Sequence, residues 1–301
     1  MDANRNQPLT GVAWAFSAVT LFAAQDALVK WLTVGLPLFQ LMCVRSVVAV
    51  LIVAVVMRTR VGGAAFRTAR PGRHALRALT NIVAFLCHYY AIIRMPLADA
   101  TALALSAPLF VTAMSGVLLG EPADLRRKLI LLVGFIGVVI VVQPTGNVDW
   151  LGVGAALLGS ALFALLAIQN RFLSRTESTE QMVLYGALAF LLITGVTMPV
   201  IWVDPTPSQF WFMLALGIVS LGAVFCITHS YRFAAVYVLA PVEYVVILWA
   251  IFYGWILFSE LPSLPVLFGV LIVTGSGVYL VRLERKTQLR NAEKTPEQPG
   301  A

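Results

Sequence analysis

Apolar windows follow one another along almost the whole chain, at about 11–32, 37–57, 75–93, 97–119, 129–143, 151–170, 180–203, 210–231, 236–258 and 264–281, each closed by charges or turn residues. A helix needs roughly 20 mostly apolar residues to cross a bilayer, so the pattern predicts ten transmembrane helices. The fifth window, Leu129 to Gln143, is the shortest, and its density of Val and Ile is read as a tilted span or one set in thin bilayer. Met1 to Thr10 is a short polar tail. The apolar run behind it is too long for a signal-peptide core and carries no small-residue cleavage site, so it is the first span.

Composition agrees with the windows. Of 301 residues, 60% are apolar or aromatic and 12% are charged, against about 25% charged in soluble domains, which excludes a soluble globular protein. The net charge of +7 becomes an orientation signal once its residues are placed. Arg5, the arginines from Arg58 to Arg73, the run Arg126 to Lys128, Arg171, Arg175, Arg232 and the basic residues from Arg282 onward fall to one side of the predicted membrane. The opposite loops hold only Arg94, and Lys30, Arg45 and Arg77 lie inside spans. Both termini are therefore read as cytoplasmic, and nucleic acid is not an expected partner. Trp31, Trp150, Trp202 and Trp211 fall at the outer ends of their windows, as an interfacial belt would. Cys43, Cys87 and Cys226 sit in apolar runs without metal or disulfide spacing and are read as packing residues; no metal or cofactor is predicted.

An offset of 141 residues aligns the two halves. It pairs Gly11, Val12, Ala15, Leu21, Phe22, Ala23 and Leu32 with identical residues from Gly152 to Leu173, sets Lys30 against Arg171, and matches Gln40 with Gln181, His88 with His229 and Tyr90 with Tyr231. At an offset of 139, Glu121 and Glu260 each close their half's fourth span just before a proline. An odd number of spans per half inverts the second half in the membrane. Inverted halves around a pseudo-two-fold axis are the architecture of many secondary transporters, with exchange of their conformations moving the cavity from one face to the other.

The opening helix Gly11…Asp26-Ala-Leu-Val-Lys30, then Gln40…Arg45, Pro96-Leu-Ala-Asp-Ala100 leading to Leu118-Leu-Gly-Glu121, and Ala240-Pro-Val-Glu-Tyr244 leading to Phe258-Ser-Glu260 together resemble the EamA family of the drug/metabolite transporter superfamily, from about Gly11 to Arg282. Ser259 stands where the family often has Gly. The resemblance implies an all-α polytopic protein of the bacterial inner membrane, with ten transmembrane helices as two inverted five-helix repeats and both termini cytoplasmic. The chain divides into a cytoplasmic N-tail (1–10), a first repeat (11–144), a periplasmic linker (145–150), a second repeat (151–281) and a cytoplasmic tail (282–301) read as disordered because it is charged, contains proline and has almost no large apolar residue. The resemblance implies a carrier of small organic metabolites, most often outward, with amino acid exporters of the YddG type and carriers of S-adenosylmethionine-like molecules among similar proteins.

Ionisable residues at membrane depth are costly and mark function by default. Asp26 and Lys30 share one face of the first span, and Asp26 and Arg45 lie at matching depths, roughly 9 and 12 Å below the outer ends of their helices. An outer-half site in which Arg45 or Lys30 attracts a carboxylate and Asp26 an amine stands beside a structural ion pair between the two helices. Lys30 alone reads as a snorkelling end residue. Arg77, Asn81 and His88 form one inward stripe on the third span. His88 and Tyr90 fall near the outer mouth and His229 and Tyr231 near the inner one, as symmetry-related gates or as packing hydrogen bonds. Glu243 suits a substrate amine or a proton-binding step, with a pair to Arg232 as the structural alternative. Tyr244 adjoins it, and Trp249, far from both interfaces, suits a stacking wall or buried packing. Pro108 and Pro241 are expected to kink their spans. Gly134, Gly137, Gly269, Gly275 and Gly277 mark close helix contacts, within a monomer or across a homodimer.

No HExxH, paired-aspartate or Ser–His arrangement points to an enzyme, and no P-loop points to ATP-driven pumping. The expected function is secondary export of a small zwitterion, an aromatic or neutral amino acid, by alternating access. A carrier of an S-adenosylmethionine-like metabolite is the alternative, and a channel or membrane-embedded enzyme is the reading of another class.

Overall fold

Twelve helices carry the described part of the chain in the computed structural model: α1 (Pro8–Leu32), α2 (Leu38–Arg60), α3 (Pro71–Arg94), α4 (Leu97–Ala104), α5 (Ala107–Leu118), α6 (Leu125–Val142), α7 (Trp150–Leu173), α8 (Thr179–Gly195), α9 (Met198–Ile201), α10 (Pro207–Phe233), α11 (Val246–Phe258) and α12 (Leu264–Lys294). The structure describes residues 8–60, 68, 70–118, 125–143, 148–173, 176–234, 239 and 242–294, and no strand occurs among them. Seven helical segments are long and apolar enough to cross a membrane, and Lys128–Val142, Glu180–Gly195 and Val246–Phe258 are shorter apolar helices.

Two apolar windows hold a broken helix. The chain breaks between α4 and α5 at Leu105–Ser106 and between α8 and α9 at Val196–Thr197, each time just ahead of a proline, Pro108 or Pro199. Proline has no N–H to donate four residues back, so Pro108 leaves the carbonyl of Ala104 without its helical donor. The Ser160 hydroxyl of α7 donates to Leu103 O at 3.0 Å and Ala104 O at 3.4 Å, and Ser106 Oγ donates to Leu103 O at 2.6 Å. The break expected at Pro108 is present, and its carbonyls are met by serines inside the bundle. Pro241 lies outside the described residues.

Helix starts follow from short polar signals. Ser178 and Thr206 each accept from the backbone N–H three residues on, while Gln181 and Gln209 accept in return from the cap's own N–H, closing reciprocal capping boxes at α8 and α10. The C-terminus corrects an expectation. The segment from Arg282, read as disordered from its charge and its proline, is helical to Lys294. Its Arg, Lys, Gln, Leu, Glu and Ala residues are strong helix formers, and the first proline after Arg282 is Pro296.

The main helix contacts run between the first and second halves of the chain. α1 packs chiefly on α10, α3 on α7, α2 on α8 and α6 on α12, with further contacts of α2 with α10, α3 with α8, α1 and α4 with α11, and α7 with α4 and α5. Small residues make these approaches close. Ala15 and Ala18 on α1 and Ala223 on α10 are fully buried. On α6 and α12, a Cβ placed on Gly269 would lie 2.8 Å from the carbonyl oxygen of Gly137, so these glycines serve a contact within one chain. Trp31, Trp150, Trp202 and Trp211 all stay exposed.

Candidate functional site

A buried polar cluster lies where α1, α2 and α3 meet. Gln25 and Asp26 come from α1, Arg45 from α2, and His88 and Tyr89 from α3. His88 Nε2 lies 3.1 Å from Asp26 Oδ2. Tyr89, fully buried, accepts at its hydroxyl from Gln25 Nε2 and from Arg45 Nη1, each at 2.8 Å. Asp26 therefore pairs with His88, and Arg45 with Tyr89, where the sequence had suggested Asp26 and Arg45 as direct partners. One Arg45 nitrogen serves Tyr89 and touches Met42 Sδ at 3.8 Å, and the guanidinium stacks 5.0 Å from the Phe85 ring centroid. Among the described residues, Arg45 Nε and Nη2 carry no hydrogen bond. Gln25 Oε1 is likewise buried without a partner.

Aromatic rings stand beside these charges. Phe85 meets Phe163 of α7 edge-on at 5.1 Å and Phe190 of α8 at 6.1 Å, and His88 meets Phe163 at 5.9 Å. Both halves of the chain thus contribute to one cluster with a guanidinium edge, a carboxylate–imidazole pair and an apolar wall. Such a combination of a few convergent polar groups on aromatic lining is what small-molecule sites are made of. Further along α3, Arg77 donates to Asn170 Oδ1 and to Met182 O, tying α3 to α7 and α8. Asn81, half-buried, faces Gly186 of α8.

A second cluster closes one end of the bundle. Lys30 Nζ donates to both Glu260 oxygens, at 2.6 and 2.8 Å, and to Met95 O at 2.8 Å. Glu260 Oε2 also accepts from the Leu97 backbone N–H at the start of α4, where the helix dipole favours a negative charge. Lys30 is held in this ion pair, so the snorkelling expectation gives way: the long side chain reaches across to the half-buried Glu260 just past the end of α11. Glu260 gets there through Ser259, whose left-handed backbone (φ 56°) caps α11 and turns the chain back. That conformation explains why a glycine is common at this position.

The remaining sequence candidates sit elsewhere. Glu243 is exposed and accepts from Tyr231 Oη at 3.3 Å; the side chain of Arg232, its suggested partner, lies outside the described residues. His229 stacks on Phe225 at 4.6 Å and meets Trp14 at 5.2 Å. Tyr90 is exposed, with the Arg94 guanidinium 5.9 Å over its ring. Trp249 meets Phe16 of α1 at 6.3 Å and stacks on Tyr253. Tyr244 is buried with its hydroxyl against Gly277 of α12.

Several polar residues escaped sequence reasoning. Gln25 and Tyr89 stand beside the singled-out Asp26 and His88, and the alternating His-x-Tyr pattern drew attention past Tyr89. His74, one turn before Arg77 on the same stripe, lies 3.5 Å from Glu177 and 4.6 Å from the Tyr185 ring, with Thr68 donating to Glu177 at 2.8 Å. The signal there was a lone acid in a basic connection. No group of three metal-ligating side chains occurs among the described residues.

Comparison with known proteins gives one direction. The profile of the EamA-like transporter family matches residues 9–143. The chain is 33% identical over 274 residues to the pseudopaline exporter CntI of Pseudomonas aeruginosa (strain UCBPP-PA14), covering 88% of this chain and 94% of that protein. It is 24% identical to the S-adenosylmethionine uptake transporter of Rickettsia conorii and 25% identical to the riboflavin transporter of Vibrio cholerae, in each case over 95% of this chain and 97% of the relative. A solved crystal structure shares the fold, with a TM-score of 0.64 at 18% identity over 92% of this chain and 98% of that one.

Proposed function

Since the chain belongs to the EamA-like transporter family of the drug/metabolite transporter superfamily, we propose that it is a secondary carrier exporting a small zwitterionic metabolite across the bacterial inner membrane, its substrate class amino acids or amino-acid-like carboxylates bearing a flat apolar group. One observation carries the substrate class. Arg45 presents a guanidinium edge with no hydrogen-bond partner among the described residues, beside the Asp26–His88 pair and under a wall of Phe85, Phe163 and Phe190. A carboxylate matches the planar fork of Arg45 in a bidentate fashion, an ammonium group suits Asp26, and a ring suits the phenylalanines. Glu243, Tyr244, Trp249 and Asn81 belong to the wider substrate pathway on this reading, and Lys30, Tyr90, His229 and Tyr231 to its gates. Outward direction is supported by the higher identity to an exporter than to the uptake carriers.

Alternating access between two inverted five-helix repeats is supported by the helix contacts. Exchanging α1 with α7, α2 with α8, α3 with α10, α4 and α5 with α11, and α6 with α12 turns the contact of α1 with α10 into that of α7 with α3. It turns α2 with α10 into α8 with α3, and leaves α2 with α8 and α6 with α12 as they are. The basic loops support cytoplasmic termini and periplasmic placement of the Lys30–Glu260 end.

Counterflow in proteoliposomes tests the function. Vesicles are loaded in turn with aromatic and neutral amino acids, S-adenosylmethionine and riboflavin, and exchange of external radiolabel is followed. Saturable, trans-stimulated exchange of a zwitterion is the expected result. Exchange confined to riboflavin or S-adenosylmethionine replaces the substrate class, and flux without saturation replaces the carrier with a channel.

A further inference from the structure

Two carboxylates from different halves of the chain act on Lys30. Glu260, at the end of α11 in the second half, holds it with both oxygens. Asp99, in the first turn of α4 in the first half, lies within the electrostatic reach of both Lys30 and Glu260, and its Oδ1 is buried without a hydrogen-bond partner. The Lys30 and Glu260 side chains are 10% and 27% exposed, and all three Lys30 protons are used, the third by Met95 O. The bond to Glu260 is therefore a tie between halves at one mouth of the bundle. It lies one helical turn from Asp26, on the same face of α1. A buried carboxylate oxygen left unpaired carries a desolvation cost, so Asp99 gains what Glu260 loses if the ammonium moves across.

We propose that Lys30, Glu260 and Asp99 form an ion-pair switch: Lys30 on Glu260 locks the two halves together at this mouth, and transfer of Lys30 to Asp99 releases the second half and opens the mouth while keeping the ammonium paired. This rests on the reading of the chain as an alternating-access carrier and adds how one of its two ends is held. Both positions of Lys30 leave one carboxylate paired and one waiting, which places the two states within a small energy gap, as a bistable element requires. The first-turn position of Asp99 and the Leu97 N–H bond of Glu260 put both carboxylates at the N-terminal end of α4, where the dipole compensates whichever one is left without the lysine. The Lys30 ammonium also lies 5.0 Å over the Phe258 ring, a contact that stays with α11 and favours the locked position.

The test needs no substrate, so it stands or falls separately from the zwitterion reading. In a background with Cys43, Cys87 and Cys226 replaced by serine, Asn81→Cys on the inward stripe of α3 reports opening through its rate of labelling by a membrane-impermeant maleimide. Right-side-out and inside-out vesicles are compared. Glu260→Gln removes the lock and is expected to raise labelling roughly tenfold from one membrane face only. Asp99→Asn removes the receiving carboxylate and is expected to lower labelling from that same face below the parent's. In Lys30→Met, adding Asp99→Asn is expected to change nothing further. The reversed pair Lys30→Glu with Glu260→Lys, checked for a monodisperse elution profile, guards against misfolding of the single variants and is expected to return labelling toward the parent rate. Equal rates in all variants, shifts in the same direction for Glu260→Gln and Asp99→Asn, or equal changes from both faces would overturn the switch.

Discussion

His88 Nε2 rests 3.1 Å from Asp26 Oδ2, joining α3 to α1 in the interior of the bundle. Removing one partner of a buried pair leaves the other uncompensated. Asp26→Asn keeps the shape and drops the charge. Its exchange rate in proteoliposomes is expected to fall at least about tenfold, and His88→Gln, which preserves a donor to Asp26, should lose less. Equal rates in wild type and Asp26→Asn would remove Asp26 from the transport path.

Arg45 is a test of carboxylate recognition. Lysine retains the positive charge and loses the planar pair of donors and the stacking on Phe85. In Arg45→Lys the concentration for half-maximal exchange is expected to rise by about tenfold with a smaller change in maximal rate, because one well-placed charged hydrogen bond is worth roughly 1.5–3 kcal/mol. An unchanged half-saturation concentration would show that the carboxylate binds elsewhere.

Tyr244 and Gly277 can be read as a pair. A Cβ on Gly277 would overlap the Tyr244 hydroxyl. Overpacking of this kind costs about 1–3 kcal/mol, so Gly277→Ala should lower the melting temperature of the detergent-solubilised protein. Adding Tyr244→Phe, which deletes the colliding oxygen but leaves the ring Cζ 2.7 Å from that Cβ, should recover part of the loss. If the double variant melts no higher than Gly277→Ala alone, the contact does not limit stability.

Ser259 carries a backbone conformation suited to glycine. The left-handed region costs a residue with a Cβ roughly 1–2 kcal/mol, offset in part by the greater freedom of glycine in the unfolded chain. Ser259→Gly is expected to raise the melting temperature by a small but measurable step. A decrease would mean that the serine side chain contributes more than its backbone costs.

Acid should loosen the start of α7. Asp149 accepts from the Gly152 N–H at 2.9 Å and from Arg94 Nε at 2.7 Å, and these two bonds hold its carboxyl below the ordinary value of 3.8. With the folded value depressed, the stabilisation is fully present above the ordinary value and is lost as pH falls through Asp149's own lower one. Wild type and Asp149→Asn should thus differ in melting temperature at neutral pH and converge toward the acid end. A gap that stays constant with pH would exclude the contribution.

Much of the architecture was legible because it rests on length and apolarity alone. The windows and the proline break at Pro108 are local properties of the chain. The site was legible in part: Asp26, Arg45 and His88 stand out as ionisable residues at membrane depth, and the structure gathers them within one cluster. Their pairing was not legible. Which donor meets which acceptor depends on the rotation of α1, α2 and α3 about their axes, and a rotation of one residue position, 100°, exchanges Tyr89 for His88. Asp99 was hidden for another reason, since a polar residue flanked by alanines looks like background until its neighbours across the bundle are known. The helical stretch after Arg282 was misread because charge was taken for disorder, although the same residues favour a helix.

The contacts of α1 with α10, α2 with α8, α3 with α7 and α6 with α12 make most of each half's packing depend on the other. During synthesis the first five windows must therefore wait in the lipid, with Lys30 lacking Glu260, while Asp26 and Arg45 already have His88 and Tyr89 of α3. Folding is in this sense a bimolecular event run on a single polypeptide. The two halves made as separate chains should assemble with each other, and each made alone should be cleared by the quality-control proteases of its membrane.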